Sequence, residues 1–357
     1  MKKINVTKAS LPPIDEYQEY LKKIWESGQL TNQGPLLREF ESKIKAHIKI
    51  SNFQFVTNGT LALQVSLRAL DISGGEVITT PFSYVASTSA ILWEGATPIF
   101  VDIEPDSLCI DPSKIEDAIT PNTKAILAVH VFGNPCDTVA IESIAKKHNI
   151  KVIYDAAHSF NVVYKGKSLL DHGDISICSF HATKVFNSVE GGGIIASNQA
   201  LNKKIDLIKR FGHHGDEHFM LGTNAKASEF HAAMGLCNLK YVESNIEERQ
   251  KLSNQYDKLL EDKIEKPVLR KDIKYNYAYY PVIFESENKL LEVKSTMEAA
   301  NIFPRRYFYP SLNTLPYLKT SQTCPISEDL SKRILCLPLY PDLEQADVKR
   351  ICEIISR

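Results

Sequence analysis

No run in this 357-residue sequence approaches the ~20 continuous apolar residues that a membrane-spanning helix needs, so no helical span is expected. The start, Met1 to Lys8, is too polar to hold the apolar centre of a secretion signal. The seven cysteines are scattered and form no Cys-x-x-Cys, which argues against both a disulfide framework and a thiolate zinc site. Neither sign of charge dominates: 42 basic against 43 acidic residues leave no positive field to hold nucleic acid. No Gly-x-Gly-x-x-Gly follows an early strand, which disfavours a nicotinamide-dependent sugar epimerase or reductase. Internal repeats and low-complexity segments are absent too. These absences leave a reduced, cytoplasmic globular protein as the expectation.

What is present fits that class. Hydrophobic residues make up 43% and charged residues 24%, an ordinary globular balance. The length suggests one large domain and a smaller one; the character of the sequence changes near 240, so the domains are expected at 1–240 and 241–357. Residues 13–48 read as two helices around the polar turn Ser27–Pro35. A short strand, Phe53–Thr57, leads into Asn58-Gly59-Thr60 and an apolar helix. Asn58 is a helix cap, and the free amides behind it suit a phosphate. A second strand, Glu76–Thr80, runs into Pro81-Phe82-Ser83-Tyr84. Further strands are expected at Pro98–Ile103, Ala125–Val131, Lys151–Ala156, Asp174–Ser179 and Gly193–Ser197, with helices at 112–119, 138–149, 199–211 and from Lys226 to about 262. Continuous apolar runs such as Ala125–Val129 suit strands covered on both faces. The expected fold class is α/β with a mainly parallel sheet. Near the C-terminus, Tyr275–Phe284 has strand composition and Leu290–Ala300 a helical pattern.

The stretch with most chemistry is Ser179-Phe180-His181-Ala182-Thr183-Lys184, which begins where a strand ends and is followed by Glu190 and three glycines. Open α/β sheets place reactive groups at such ends. A lysine desolvated there loses proton affinity and becomes an amine nucleophile. Another strand ends in Asp155-Ala156-Ala157-His158, and an aspartate so placed pairs with the protonated pyridine nitrogen of pyridoxal 5′-phosphate (PLP). Two loops remain open. Phe211–His218 carries three histidines and two acids in a spacing that fits no zinc pattern, so polar ligand contact is expected there and no metal. Arg305-Arg306-Tyr307-Phe308-Tyr309 either holds a phosphate and stacks a base or forms a solvated turn with an aromatic anchor.

Taken in order, Thr31–Pro35, Asn58–Thr60, Pro81–Tyr84, His130–Pro135, Asp155–His158, Ser179–Gly193, Gly222–Glu229 and Leu337–Pro341 resemble the DegT/DnrJ family of sugar-nucleotide aminotransferases. The likeness runs nearly end to end. It implies a fold-type I PLP enzyme: a large domain with a mainly parallel central sheet flanked by helices, plus a smaller C-terminal α/β domain. The His-Ala-Thr-Lys version looks most like enzymes that make 4-amino-4,6-dideoxy sugars on a dTDP carrier. By this resemblance Lys184 would be the Schiff-base lysine and proton carrier, and Asp155 the partner of the ring nitrogen. Tyr84 would cover one ring face, and His158 would contact the ring from the other side or near its phenolic oxygen. Gly59, Thr60 and Ser179 would hold the phosphate, joined by Asn224 from a neighbouring subunit, so that a homodimer shares its active sites. Thr31, His213, His214, Arg305, Tyr307 and Tyr309 would face the sugar nucleotide. His158 stands where glutamine is also common, and Lys226 where arginine is frequent. The implied reaction transfers an amino group from L-glutamate, through the PLP and pyridoxamine phosphate (PMP) forms, to dTDP-4-keto-6-deoxy-D-glucose for surface glycan such as O-antigen. The alternatives are a 3-keto or a GDP- or UDP-linked sugar, or a PLP-binding regulator without turnover.

Overall fold

The computed structural model describes residues 2–318 and 322–356. Seven strands form the central sheet, in the spatial order Gln54–Val56, Gly192–Ala196, Ile175–Ser179, Lys151–Asp155, Thr123–Val129, Glu76–Thr79 and Thr97–Phe100. Only Gly192–Ala196 runs antiparallel to its neighbours. Helices cover both faces, which is why the inner strands read as unbroken apolar runs. In Ala125–Val129 every residue is buried.

Register brings the functional ends together. Asp155 lies opposite Val129 on one side and Ile177 on the other, while Ser179 and Val56 both lie opposite Gly192. The carboxyl ends of four parallel-running strands, one of them set off by Gly192–Ala196, therefore open on one crevice, where ligands of open α/β sheets bind. Gly192 makes the closeness possible: a Cβ there would sit 2.6 Å from the Asn58 carbonyl carbon and 2.9 Å from Gly59 N. The helix Gly59–Ala69 starts directly on this strand, with the Asn58 side chain accepting from Leu61 N–H at 2.8 Å.

The loop carrying Lys184 is fastened from beneath. Phe180 and Phe186 are both buried, with ring centroids 5.0 Å apart in an edge-on contact, and Phe186 stacks on Phe160 at 4.4 Å. Full burial of one such ring stabilises by roughly 1.5–3 kcal/mol, so these anchors hold the intervening loop to the core.

Helix boundaries differ from the sequence expectation in a few places. The helix expected from Lys226 to about 262 is two helices, Glu229–Leu239 and Val242–Leu260. No glycine or proline marks the break. Glu16 of the first helix holds it by accepting from Lys240 Nζ and from the Tyr241 hydroxyl. Residues 112–119 form two single 3₁₀ turns rather than one helix. The helix expected over 199–211 ends at Ile208. Within Tyr275–Phe284 only Tyr280–Ile283 pairs as a strand, antiparallel to Ile334–Leu337. The preceding residues are held irregular by Asn276, which donates to the His158 and Phe160 carbonyls at 2.8 Å each. The half-buried helix Ala86–Trp93 has no amphipathic pattern and gave no sequence signal.

A second apolar core gathers Leu252, Tyr256, Val282, Val293, Leu335 and Ile351, and it includes Ile4, which pairs with Ile302. Arg249 is buried where the two cores meet and donates to the Leu339 carbonyl at 3.0 Å and the Ala278 carbonyl at 3.3 Å. Among the described residues no helix is long and apolar enough to cross a membrane.

Candidate active site

A cavity of about 250 Å³ opens at the carboxyl ends of the strands, lined by Asp155, Lys184, His158, Ser179, Gly59 and Thr60 among others. The sequence order explains the convergence. Asp155 closes one strand, Ser179 closes its neighbour, and Gly59 and Thr60 begin the helix that follows a third.

Asp155 is 6% exposed. Its Oδ2 accepts from the Ser87 hydroxyl at 2.7 Å and its Oδ1 from Ala157 N–H at 3.1 Å. Burial raises its pKa above the ordinary carboxylate value; the Ser87 and Ala157 hydrogen bonds and the Lys184 charge act against that rise. A carboxylate so desolvated favours a cationic donor. Lys184 has its pKa pushed down to about 8, chiefly by burial. Asp155 pulls the value back up, and Arg305 pushes it further down. The result is an amine that changes protonation state close to neutrality.

His158 forms the flat wall of the pocket. Its ring stacks within 3° of parallel on Phe132 at 6.2 Å, and Phe308 lies 5.9 Å away at 11°. Burial and the Lys184 charge hold its pKa well below the usual histidine value, so the ring is neutral, and Nδ1 has no hydrogen-bond partner. His130 is buried with Nδ1 accepting from Cys136 N–H at 3.0 Å, which puts its proton on Nε2; that atom too is unpartnered. On the opposite side, a Cβ at Gly59 would lie 3.2 Å from Ser179 Cβ and 3.5 Å from its hydroxyl. The glycine thus lets helix-start amides, which have no intrahelical acceptor, stand beside that hydroxyl in a cradle suited to phosphate.

These residues fit PLP. A raised carboxylate, a lowered amine, a neutral ring wall with an open nitrogen and an anion cradle surround one cavity. Tyr84 lies at the mouth and is 58% exposed. Arg305 and Tyr307 line the same cavity.

Other expected residues lie elsewhere. Thr31 and Asn224 stand outside this chain's cavity; Asn224 Oδ1 accepts from Lys226 Nζ at 2.6 Å. His213 and His214 form a small hairpin with Glu217 and His218. Tyr309 also lies off the cavity, beneath the Arg306 guanidinium at 3.5 Å. Sequence reasoning missed Ser87, His130 and Tyr279. Ser87 is found only by its long-range bond to Asp155. His130 stands at the head of His130–Pro135, which drew attention as a likeness without suggesting a role. His181 and Thr183 also line the cavity: His181 Nδ1 accepts from Thr183 N–H at 3.3 Å, leaving Nε2 facing Glu190 at 3.6 Å.

Comparison with known proteins agrees with this geometry. A "dTDP-4-amino-4,6-dideoxy-D-glucose transaminase" of Shigella dysenteriae is 40% identical, covering 99% of this chain and 98% of the relative. A "GDP-perosamine synthase" of Escherichia coli O157:H7 is 34% identical over 100% and 98%. Among solved structures, DesI "in the presence of its TDP-sugar product" superposes with a TM-score of 0.93 at 29% identity, covering 100% of this chain and 94% of that one. The family model DegT/DnrJ/EryC1/StrS aminotransferase matches residues 14–356. The chain therefore belongs to the DegT/DnrJ/EryC1/StrS aminotransferase family and is a PLP-dependent transaminase of fold type I.

Proposed function

We propose that this enzyme moves the amino group of L-glutamate to a nucleotide-linked keto-deoxysugar, dTDP-4-keto-6-deoxy-D-glucose, and so makes dTDP-4-amino-4,6-dideoxy-D-glucose for a surface glycan in the cytoplasm. The observation that carries the reading is the pairing of a pKa-lowered Lys184 and a buried Asp155 at one cavity, in a chain so similar to the Shigella transaminase.

Bound PLP supplies a carbonyl that takes up amines and a ring that absorbs negative charge. The chain supplies the rest. Asp155 keeps a proton on the pyridine nitrogen, an interaction strongest when charge develops in the transition state. Lys184, titrating near neutrality, takes the proton from the donor's Cα and returns one to the product side. Gly59, Thr60 and Ser179 hold the phosphate, His158 orients the ring from one face, and Tyr84 covers the mouth. A second copy of the chain completes the pocket with its Asn224, and Thr31, His213, His214 and Tyr307 are assigned to the sugar nucleotide. In support of two copies, Asn224, Thr31 and the histidine pair lie outside this chain's own cavity, beside exposed apolar groups such as Leu221 and Phe211.

A panel of dTDP-, UDP- and GDP-linked 4-keto and 3-keto sugars tests the assignment, with products identified by mass and NMR. Fastest turnover of the dTDP-4-keto sugar is expected. The GDP-sugar relative makes a GDP-4-keto sugar the second candidate, and preference for it would replace the present one.

A further inference from the structure

Arg305 and Arg306 are neighbours in the chain, but the fold uses them differently. Arg306 is committed to structure: Nη2 donates to Glu287 Oε1 at 2.6 Å and to the Lys332 carbonyl at 3.1 Å, and the guanidinium stacks on Tyr309. Arg305 has its backbone clamped by reciprocal hydrogen bonds with Cys336, 3.1 Å outward and 2.9 Å in return. Its side chain lines the Lys184 cavity, with the guanidinium carbon 4.9 Å from the Tyr307 ring centroid. Among the described residues no carboxylate forms an ion pair with it, although ion pairs hold Arg306 and Arg333 close by.

The same wall holds a buried phenol. Tyr279 is 5% exposed and lines the cavity, its ring 4.9 Å from Tyr307 and 4.7 Å from His158, and its hydroxyl lies beside the Tyr307 hydroxyl, which Arg305 also approaches. A fixed planar fork of N–H donors beside a buried phenol is complementary to a carboxylate. We propose that Arg305, assisted by the Tyr279 hydroxyl, binds the α-carboxylate of the amino donor.

This rests on the aminotransferase reading above and specifies its first half-reaction. Reach decides between the two anions that enter the pocket. An amino acid's α-carboxylate is bonded directly to the carbon that loses its proton. In a nucleotide-linked sugar the diphosphate is separated from the keto carbon by the pyranose ring. Arg305 lines the same cavity as Lys184, so its guanidinium shares the wall with the reacting amine, on the side of the shorter substrate's carboxylate. The same cation thus favours the neutral amine of Lys184 and holds the donor.

The test separates the half-reactions in the holoenzyme by stopped-flow absorbance. Arg305→Gln should raise the apparent KM for glutamate roughly 100-fold, the scale of losing one partner of a charge-assisted pair, with Arg305→Lys recovering part of it and Tyr279→Phe costing less. The reaction of PMP-loaded Arg305→Gln with the keto-sugar nucleotide shares Lys184 but not the α-carboxylate, so it should fall by a much smaller factor than the glutamate half-reaction. Discrimination between glutamate and γ-aminobutyrate, which lacks an α-carboxylate, should shrink. Calorimetric binding of glutarate to the wild type should vanish in Arg305→Gln. The proposal is overturned if the glutamate half-reaction is spared, if the nucleotide-sugar half-reaction falls by as much or more, or if wild type and variant bind glutarate alike or not at all. Should wild type fail to react with glutamate, that donor is wrong, and the glutarate comparison still decides the carboxylate site.

Discussion

At the scale of single residues, the site depends on how burial and two charges set the state of Lys184. Burial lowers its pKa to about 8, Asp155 raises it, and Arg305 lowers it again. An ordinary lysine stays protonated until about pH 10.4, whereas Lys184 gains a large neutral fraction as pH rises through about 8. In the cofactor-free protein, pH-dependent labelling of Lys184 by an amine-reactive probe, read by peptide mass, should show that midpoint. Asp155→Asn removes the group that stabilises the ammonium, so the midpoint should fall; Arg305→Gln should raise it. Opposite shifts would show that the charges are arranged otherwise. Lys184→Ala should lose turnover by at least roughly 10²–10⁴-fold, the range for a removed acid–base group, and with it the borohydride-reducible link to the cofactor. Full activity in that variant would falsify the assignment. Lys184 and Asp155 were legible in the sequence because each carries its chemistry at the end of a local apolar run. Ser87 and the unequal roles of Arg305 and Arg306 were not, since their partners Asp155, Cys336 and Glu287 are fixed only by tertiary contact.

At the scale of elements, the phosphate cradle depends on one strand having no side chain where a helix starts. Gly192→Ala would set a Cβ against the Asn58 carbonyl. Something must shift, and the strand is held on both sides, so the start of the Gly59–Ala69 helix gives way. Such overpacking costs roughly 1–3 kcal/mol, to be read as a lowered denaturation midpoint. PLP affinity should fall by about tenfold or more, because each cradle amide moves with the helix start. An unchanged cofactor titration would mean that these amides do not carry the phosphate. The strands themselves were readable, since burial on both faces writes itself as continuous hydrophobicity. The turn at Lys240–Tyr241 was hidden: it arises from a carboxylate on the distant first helix, and nothing in the local sequence disfavours a continuous helix there. The Ala86–Trp93 helix was hidden for another reason: it buries Ser87 and Thr88 while leaving Leu92 and Trp93 exposed, so polarity does not follow the helical period.

At the scale of the whole molecule, the residues that one chain does not gather are the informative ones. The motifs at Thr31, His213–His214 and Asn224 drew their expected roles from the family resemblance, and their geometry within one chain explains none of them. Phe211 and Leu221, flanking this region, are 50% and 71% exposed, a cost to solubility that a covered surface removes. If two copies related by a two-fold axis exchange these segments, each pocket takes Lys184 from one chain and Asn224 from the other. Complementation tests this without a further structure. Lys184→Ala is inactive by loss of its amine, and Asn224→Ala should be weakened in cofactor binding. Unfolded together and refolded as a mixture at limiting PLP, the two variants should show more activity than the sum of the two refolded separately. A mixed dimer then holds one pocket with both native groups and one lacking both. If instead Asn224 serves its own chain's pocket, each pocket of the mixed dimer still lacks one group and no gain appears. Full cofactor affinity in Asn224→Ala alone would remove the residue from the site altogether.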